Sequence, residues 1–97
     1  MYKLEIPCGN KKRDNSFWAA KILGPDPKYG LQREFLRHNE QSITCKWYAL
    51  SDGVYNYTDY FGQHYIVVEG DTAKEIEKSE VLNYIPGGNE NEESNAK

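Results

Sequence analysis

Ser42-Ile43-Thr44-Cys45-Lys46-Trp47-Tyr48-Ala49-Leu50-Ser51-Asp52-Gly53-Val54-Tyr55-Asn56-Tyr57-Thr58-Asp59-Tyr60 is the stretch on which the fold turns. β-branched and aromatic residues dominate both of its halves, and these suit a pleated, half-buried surface. At period two, Ile43, Cys45, Trp47 and Ala49 share one face of the first strand and Thr44, Lys46 and Tyr48 the other. Asp52-Gly53 lies between the halves. Because a two-residue type I′ loop needs positive φ at both central residues, this pair predicts a hairpin with Val54 to Tyr60 as the returning strand.

Working back from Ser42, Asn39-Glu40-Gln41 breaks an imperfectly alternating strand, Leu31 to His38. Before it, Gly24-Pro25-Asp26-Pro27-Lys28-Tyr29-Gly30 brackets two prolines between glycines, which fixes φ at the first and frees it at the second, and so predicts a turn. Phe17-Trp18-Ala19-Ala20-Lys21-Ile22-Leu23 is apolar at both parities, as a strand covered on both sides would be. Tyr2, Leu4, Ile6 and Cys8 alternate with polar residues in the first strand, and Pro7, having no N–H for a ladder, belongs at an edge or an end. Gly9 to Asn15 is a polar loop.

Forward from Tyr60, Phe61-Gly62-Gln63 connects to His64-Tyr65-Ile66-Val67-Val68-Glu69, another β-branched run, and Gly70-Asp71 ends it. Residues 72–85 read as a short edge strand followed by a two-turn helix capped by Ser79, with Val81, Leu82 and Ile85 packing it onto the sheet. Pro86-Gly87-Gly88 stops that helix. The reading is therefore a mostly β (α+β) domain over residues 1–86: a small antiparallel barrel or bent sheet of five to seven strands with one short C-terminal helix. Residues 87–97, acidic and without a large apolar side chain, read as a disordered tail.

Composition narrows the function classes. The 97 residues are 28% charged and 38% apolar, with 13% aromatics, which is too polar for a membrane protein and too aromatic for a disordered one. No stretch approaches the roughly 20 apolar residues of a membrane span, and the N-terminal basic cluster follows rather than precedes the apolar segment, so the reading is cytoplasmic with no membrane partner. In that setting Cys8 and Cys45 are two reduced thiols rather than a disulfide. Residues 1–49 carry nine Lys/Arg against five Asp/Glu, and residues 50–97 carry three against ten. Such asymmetry marks a surface for a charged partner unless the fold interleaves the halves.

Catalytic and metal-binding constellations are weak. Cys8, His38, Cys45 and His64 have zinc-ligand chemistry but not the close paired spacing of a structural site, and no cofactor motif is present. Neither thiol shows a local device that would activate it, and the carboxylates Asp52, Asp59, Glu69 and Asp71 map to turns and strand ends. No enzyme, cofactor or metal is expected. The aromatics say more. Tyr55 and Tyr57 share a strand face, with Tyr48 on the neighbouring strand; with the cations Lys11, Lys12, Arg13 and Lys46 they compose an aromatic and basic face of the kind that stacks the bases of single-stranded nucleic acid. The alternative is a protein-interaction or regulatory module docking through an edge strand or through the Gly24–Gly30 loop, which displays Lys28 and Tyr29.

Overall fold

A computed structural model describes residues 1–8, 16–42 and 44–85 of the chain. The expected loop of residues 9–15, which holds Lys11, Lys12 and Arg13, lies outside the described residues, as do Ile43 and the expected tail of residues 87–97. Among the described residues there are eight strands: β1 (Tyr2–Pro7), β2 (Trp18–Asp26), β3 (Gly30–Phe35), β4 (Glu40–Gln41), β5 (Cys45–Leu50), β6 (Gly53–Asp59), β7 (Gly62–Glu69) and β8 (Thr72–Ile76). A 3₁₀ helix over Lys78–Asn83 follows them. They form two antiparallel sheets, one ordered β1-β5-β4 and one ordered β3-β2-β6-β7-β8, and the described residues close no barrel.

The five-stranded sheet has a core on each side. Against the three-stranded sheet it buries Ala19, Tyr55, Ile66 and Val68 on Leu4, Ile6, Tyr48 and Leu50. On its other face Ile22, Val54, Tyr65 and Ile76 are roofed by Val81 and Ile85. The central strand β6 is therefore covered on both sides, and Val54, Tyr55 and Asn56 are buried in succession.

Several expectations are corrected by this arrangement. Asp52-Gly53 does not turn a hairpin: β5 pairs with β1 and β4, whereas β6 pairs with β2 and β7, so the dipeptide carries the chain from one sheet to the other. Gly53 has φ of +152°, outside the left-handed region of a type I′ turn. Strands consecutive in the chain pair instead at β2–β3, β4–β5, β6–β7 and β7–β8. In β5 the buried face is Lys46, Tyr48 and Leu50, and Cys45, Trp47 and Ala49 face outward. Leu50 shares the parity of Tyr48, and both side chains enter the core between the sheets.

The Gly24–Gly30 turn is shorter than its prolines suggest. β2 runs through Gly24 and Pro25 to Asp26, with Pro25 opposite Leu31, and only Pro27, Lys28 and Tyr29 turn. A proline is tolerated there because β2 leaves β6 after Lys21 and needs no donor on that side. Asp26 Oδ1 then closes the turn by accepting from the amides of Lys28 at 2.8 Å and Tyr29 at 3.1 Å. Glu77 rather than Ser79 caps the C-terminal helix, with the Glu80 carboxylate accepting from the Glu77 amide at 3.0 Å. Leu82 stays partly exposed and does not join Val81 and Ile85 in the core.

Pro7 lies at the end of an edge strand, as expected. Cys8 donates its amide to the Thr44 carbonyl, so the even residues of β1 point their main chain at β5 and the odd ones point it outward. The outward nitrogen of Pro7 carries no hydrogen, so the free edge offers fewer donors to a stray strand.

Candidate functional site

Of the seven residues expected to form an aromatic and basic face, Lys11, Lys12 and Arg13 lie outside the described residues, and Lys46, Tyr48, Tyr55 and Tyr57 do not make an exposed platform. Tyr48 and Tyr55 are buried between the sheets, and Tyr55 donates its hydroxyl to the Ser51 carbonyl at 2.8 Å. Lys46 is only 5% exposed and donates from Nζ to the Phe17 carbonyl at 2.8 Å. Alternation placed Lys46 with Tyr48 on one face of β5 correctly, but that face is the inner one, and Tyr55 meets it from the other sheet rather than from a paired strand. Burial also raises the Tyr48 hydroxyl above its usual 10.0, with a smaller push from Cys8. Tyr57 is half-buried and stacks on His64, ring centroids 4.8 Å apart and planes 21° from parallel. Among the described candidates, Lys28 and Tyr29 stand in solvent at the β2–β3 turn, with the Lys28 ammonium 5.2 Å from the Tyr29 ring centroid.

Exposed aromatic surface collects instead at one end of the five-stranded sheet. Phe17 and Trp18 are successive and point to opposite faces: Phe17 enters the core, whereas Trp18 meets Phe35 edge to face at 5.4 Å. Phe35 closes β3 and is 66% exposed. Trp18 is opposite Thr58 and Thr58 opposite Gln63, so the β6–β7 turn, Tyr60-Phe61, projects just beyond this row. Tyr60 packs on Phe17 at 4.5 Å, and Phe61 is 92% exposed. β3 is also a free sheet edge. Leu36 donates its amide to the Ala19 carbonyl, so by alternation the main chain of Arg33 and Phe35 points away from the sheet. The signal for Phe61 was in the sequence, since an aromatic residue in a tight turn between two strands has no interior to enter.

Behind that turn lies the most organised polar cluster among the described residues. Asp59 Oδ1 accepts from the Phe61 amide at 2.8 Å and contacts His64 Nε2 at 2.9 Å, and the other ring nitrogen, Nδ1, lies 3.2 Å from Glu75 Oε2. The imidazole is 19% exposed and Asp59 15%. Burial opposes the charge on His64, but the hydrogen bonds to Asp59 and Glu75 and their negative charges outweigh it, so its pKa lies above the usual 6.5. Tyr57 is held above 10.0, first by burial and then by Asp59, Glu75 and Tyr2. An imidazole engaged at both nitrogens by carboxylates is built to keep a proton. Its remaining side opens on a cavity of about 250 Å³ lined by Gln63, Glu75, Glu77, Lys78 and Glu80.

Elsewhere, the outer face of the three-stranded sheet holds Trp47, whose indole N–H donates to the Glu5 carboxylate, with the Lys3 ammonium 5.3 Å from the ring centroid. Cys8 and Cys45 lie on opposite faces of this sheet and form no disulfide with each other. Among the described residues no group of three or more His, Cys, Asp or Glu side chains is placed to hold a metal, and no helix is long and apolar enough to cross a membrane. No protein-family model, curated protein or solved structure matches the chain.

Proposed function

We propose that this domain is a protein-interaction module that docks a partner at the aromatic end of its five-stranded sheet, alongside the free edge of β3. The observation that carries the reading is Phe35: a phenylalanine 66% exposed on an edge strand, held edge to face by Trp18. Burying such a ring is worth about 1.5–3 kcal/mol, and the isolated fold leaves most of that unused. The outward main chain of Arg33 and Phe35 supplies hydrogen bonds for an added strand, and the ring supplies the pocket or anchor that gives such additions specificity. Phe61 extends the same apolar end.

Single-stranded nucleic acid is the second reading, favoured by the exposed Tyr29 with Lys28 beside its ring. Against it, the chain carries a net charge of −3, whereas phosphate neutralisation supplies most of the affinity of nucleic-acid binders.

The two separate in one set of measurements. A partner captured on the immobilised domain, purified and titrated back by calorimetry, should bind the Phe35→Ser variant at least tenfold more weakly, about 1.4 kcal/mol, with the variant's own denaturation midpoint little changed. Labelled single-stranded DNA and RNA should show no salt-sensitive anisotropy change. A captured partner indifferent to Phe35→Ser would overturn the docking site, and tight oligonucleotide binding that weakens steeply with salt and is lost on Tyr29→Ala would establish the second reading.

A further inference from the structure

We infer that His64 is a proton-operated clamp on the Tyr60-Phe61 turn, so that protonation sets how firmly the domain presents the aromatic end proposed above as its docking site. This inference concerns the regulation of that site and so rests on that reading for its biological meaning. Its physical basis is separate and can be measured without a partner.

The geometry centres on one oxygen. Asp59 Oδ1 is the acceptor both for the Phe61 amide, which fixes the turn, and for His64 Nε2. The opposite ring nitrogen reaches Glu75 on the neighbouring strand. With both nitrogens protonated, the imidazolium bridges the start of the turn to β8, and β7 carries the bridge between them. Tyr57 stacks flat on the ring and limits its rotation. Loss of the proton leaves a neutral imidazole with a single N–H. It can then donate to Asp59 or to Glu75 but not to both, and the nitrogen it leaves bare faces a carboxylate. One arm of the bridge must open.

The charged groups around His64 all bear on its titration. Asp59 and the Tyr57 hydroxyl face it from β6, Glu75 faces it from β8, and Glu77, Lys78 and Glu80 line the adjoining cavity from the start of the 3₁₀ helix and the residue before it. Tyr2 on β1 approaches from the Tyr57 side. Four carboxylates against one ammonium favour the imidazolium, and the cavity gives solvent a route to exchange the proton.

The sign follows from linkage. A histidine whose folded pKa exceeds its unfolded value stabilises the clamped turn fully below the unfolded pKa, and this contribution is lost as pH rises through the folded pKa. The aromatic end is thus held firm in mildly acidic solution and loosened in alkaline solution.

Nuclear magnetic resonance on the full chain tests this. The expected result is a His64 ring titration above 6.5, with the protection factor of the Phe61 amide, corrected for intrinsic exchange, falling several-fold at the same midpoint. Glu75→Gln, a change at an exposed side chain, should lower the His64 midpoint and move the Phe61 step with it; His64→Gln should abolish the step. A Phe61 profile that stays flat through the His64 titration, or a step that survives in His64→Gln, overturns the clamp. Neither outcome touches the docking reading, which stands or falls on Phe35→Ser.

Discussion

Asn56 is completely buried, and neither its amide nitrogen nor its carbonyl oxygen has a hydrogen-bond partner. Its register neighbours explain why: on one side is Ala20, which has no polar side chain to offer, and on the other Tyr65, whose own buried hydroxyl is also unpartnered. A buried group left in this condition costs about 1–3 kcal/mol. Asn56→Val removes both orphaned atoms, keeps the residue compact and suits a strand, so it should raise stability by about 1 kcal/mol, read as a higher guanidinium midpoint at unchanged slope. A loss of that size instead would mean that the amide is needed where it is. Such a residue was not visible as special in the sequence. Period two gives which side chains share a face but not whether that face meets solvent or a second layer, and β6 meets a layer on each side. The same ambiguity explains Lys46 and Tyr48, whose common face on β5 was legible and whose burial was not, and Tyr55, which is buried with Tyr48 from the other sheet.

At the level of elements, the strands were largely legible because β-branched and aromatic runs announce themselves, whereas the separation of β5 and β6 into different sheets was not. Asp52-Gly53 has the composition of a type I′ turn, yet the turn competes with the burial of Tyr48 and Leu50 against β1, and the larger apolar area wins. What the dipeptide supplies instead is a joint. Asp52 Oδ1 accepts from the Gly70 amide at 2.8 Å, tying the crossing between sheets to the β7–β8 turn. Gly53 makes the close approach, since a Cβ there would stand 3.1 Å from Lys21 Cε on a backbone that L-residues rarely adopt. Gly53→Ala should therefore cost about 1–2 kcal/mol in urea or guanidinium unfolding. Gly70 offers a control. It is left-handed at φ of +60° with open space around it, a conformation asparagine tolerates, so Gly70→Asn should stay within about 0.5 kcal/mol of the parent. Equal losses at both positions would argue that positive φ alone, and not the Lys21 contact, governs Gly53.

At the scale of the whole molecule, the two chain halves largely build separate parts of the fold among the described residues. The basic first half builds the three-stranded sheet and the β2–β3 side of the larger one, whereas the acidic second half supplies β6, β7 and β8. Acidic groups thus surround His64, and the pH dependence of global stability should show it. At low pH the change is small: Asp71 is held below its usual 3.8 by its hydrogen bond to the N-terminal ammonium and by that charge, but it is fully exposed. Its contribution is present above the unfolded value and lost as pH falls through the folded one. In the other direction, His64 lies above 6.5 and its contribution is lost as pH rises through its folded value. Tyr48 and Tyr57, both raised above 10.0 chiefly by burial, add a second loss of the same sign in strongly alkaline solution, where the unfolded chain ionises first. The denaturation midpoint should accordingly be highest in mildly acidic solution and fall in two steps on the alkaline side. His64→Gln should remove the first step and leave the second; a curve that keeps both steps in that variant would place the near-neutral titration on some group other than His64.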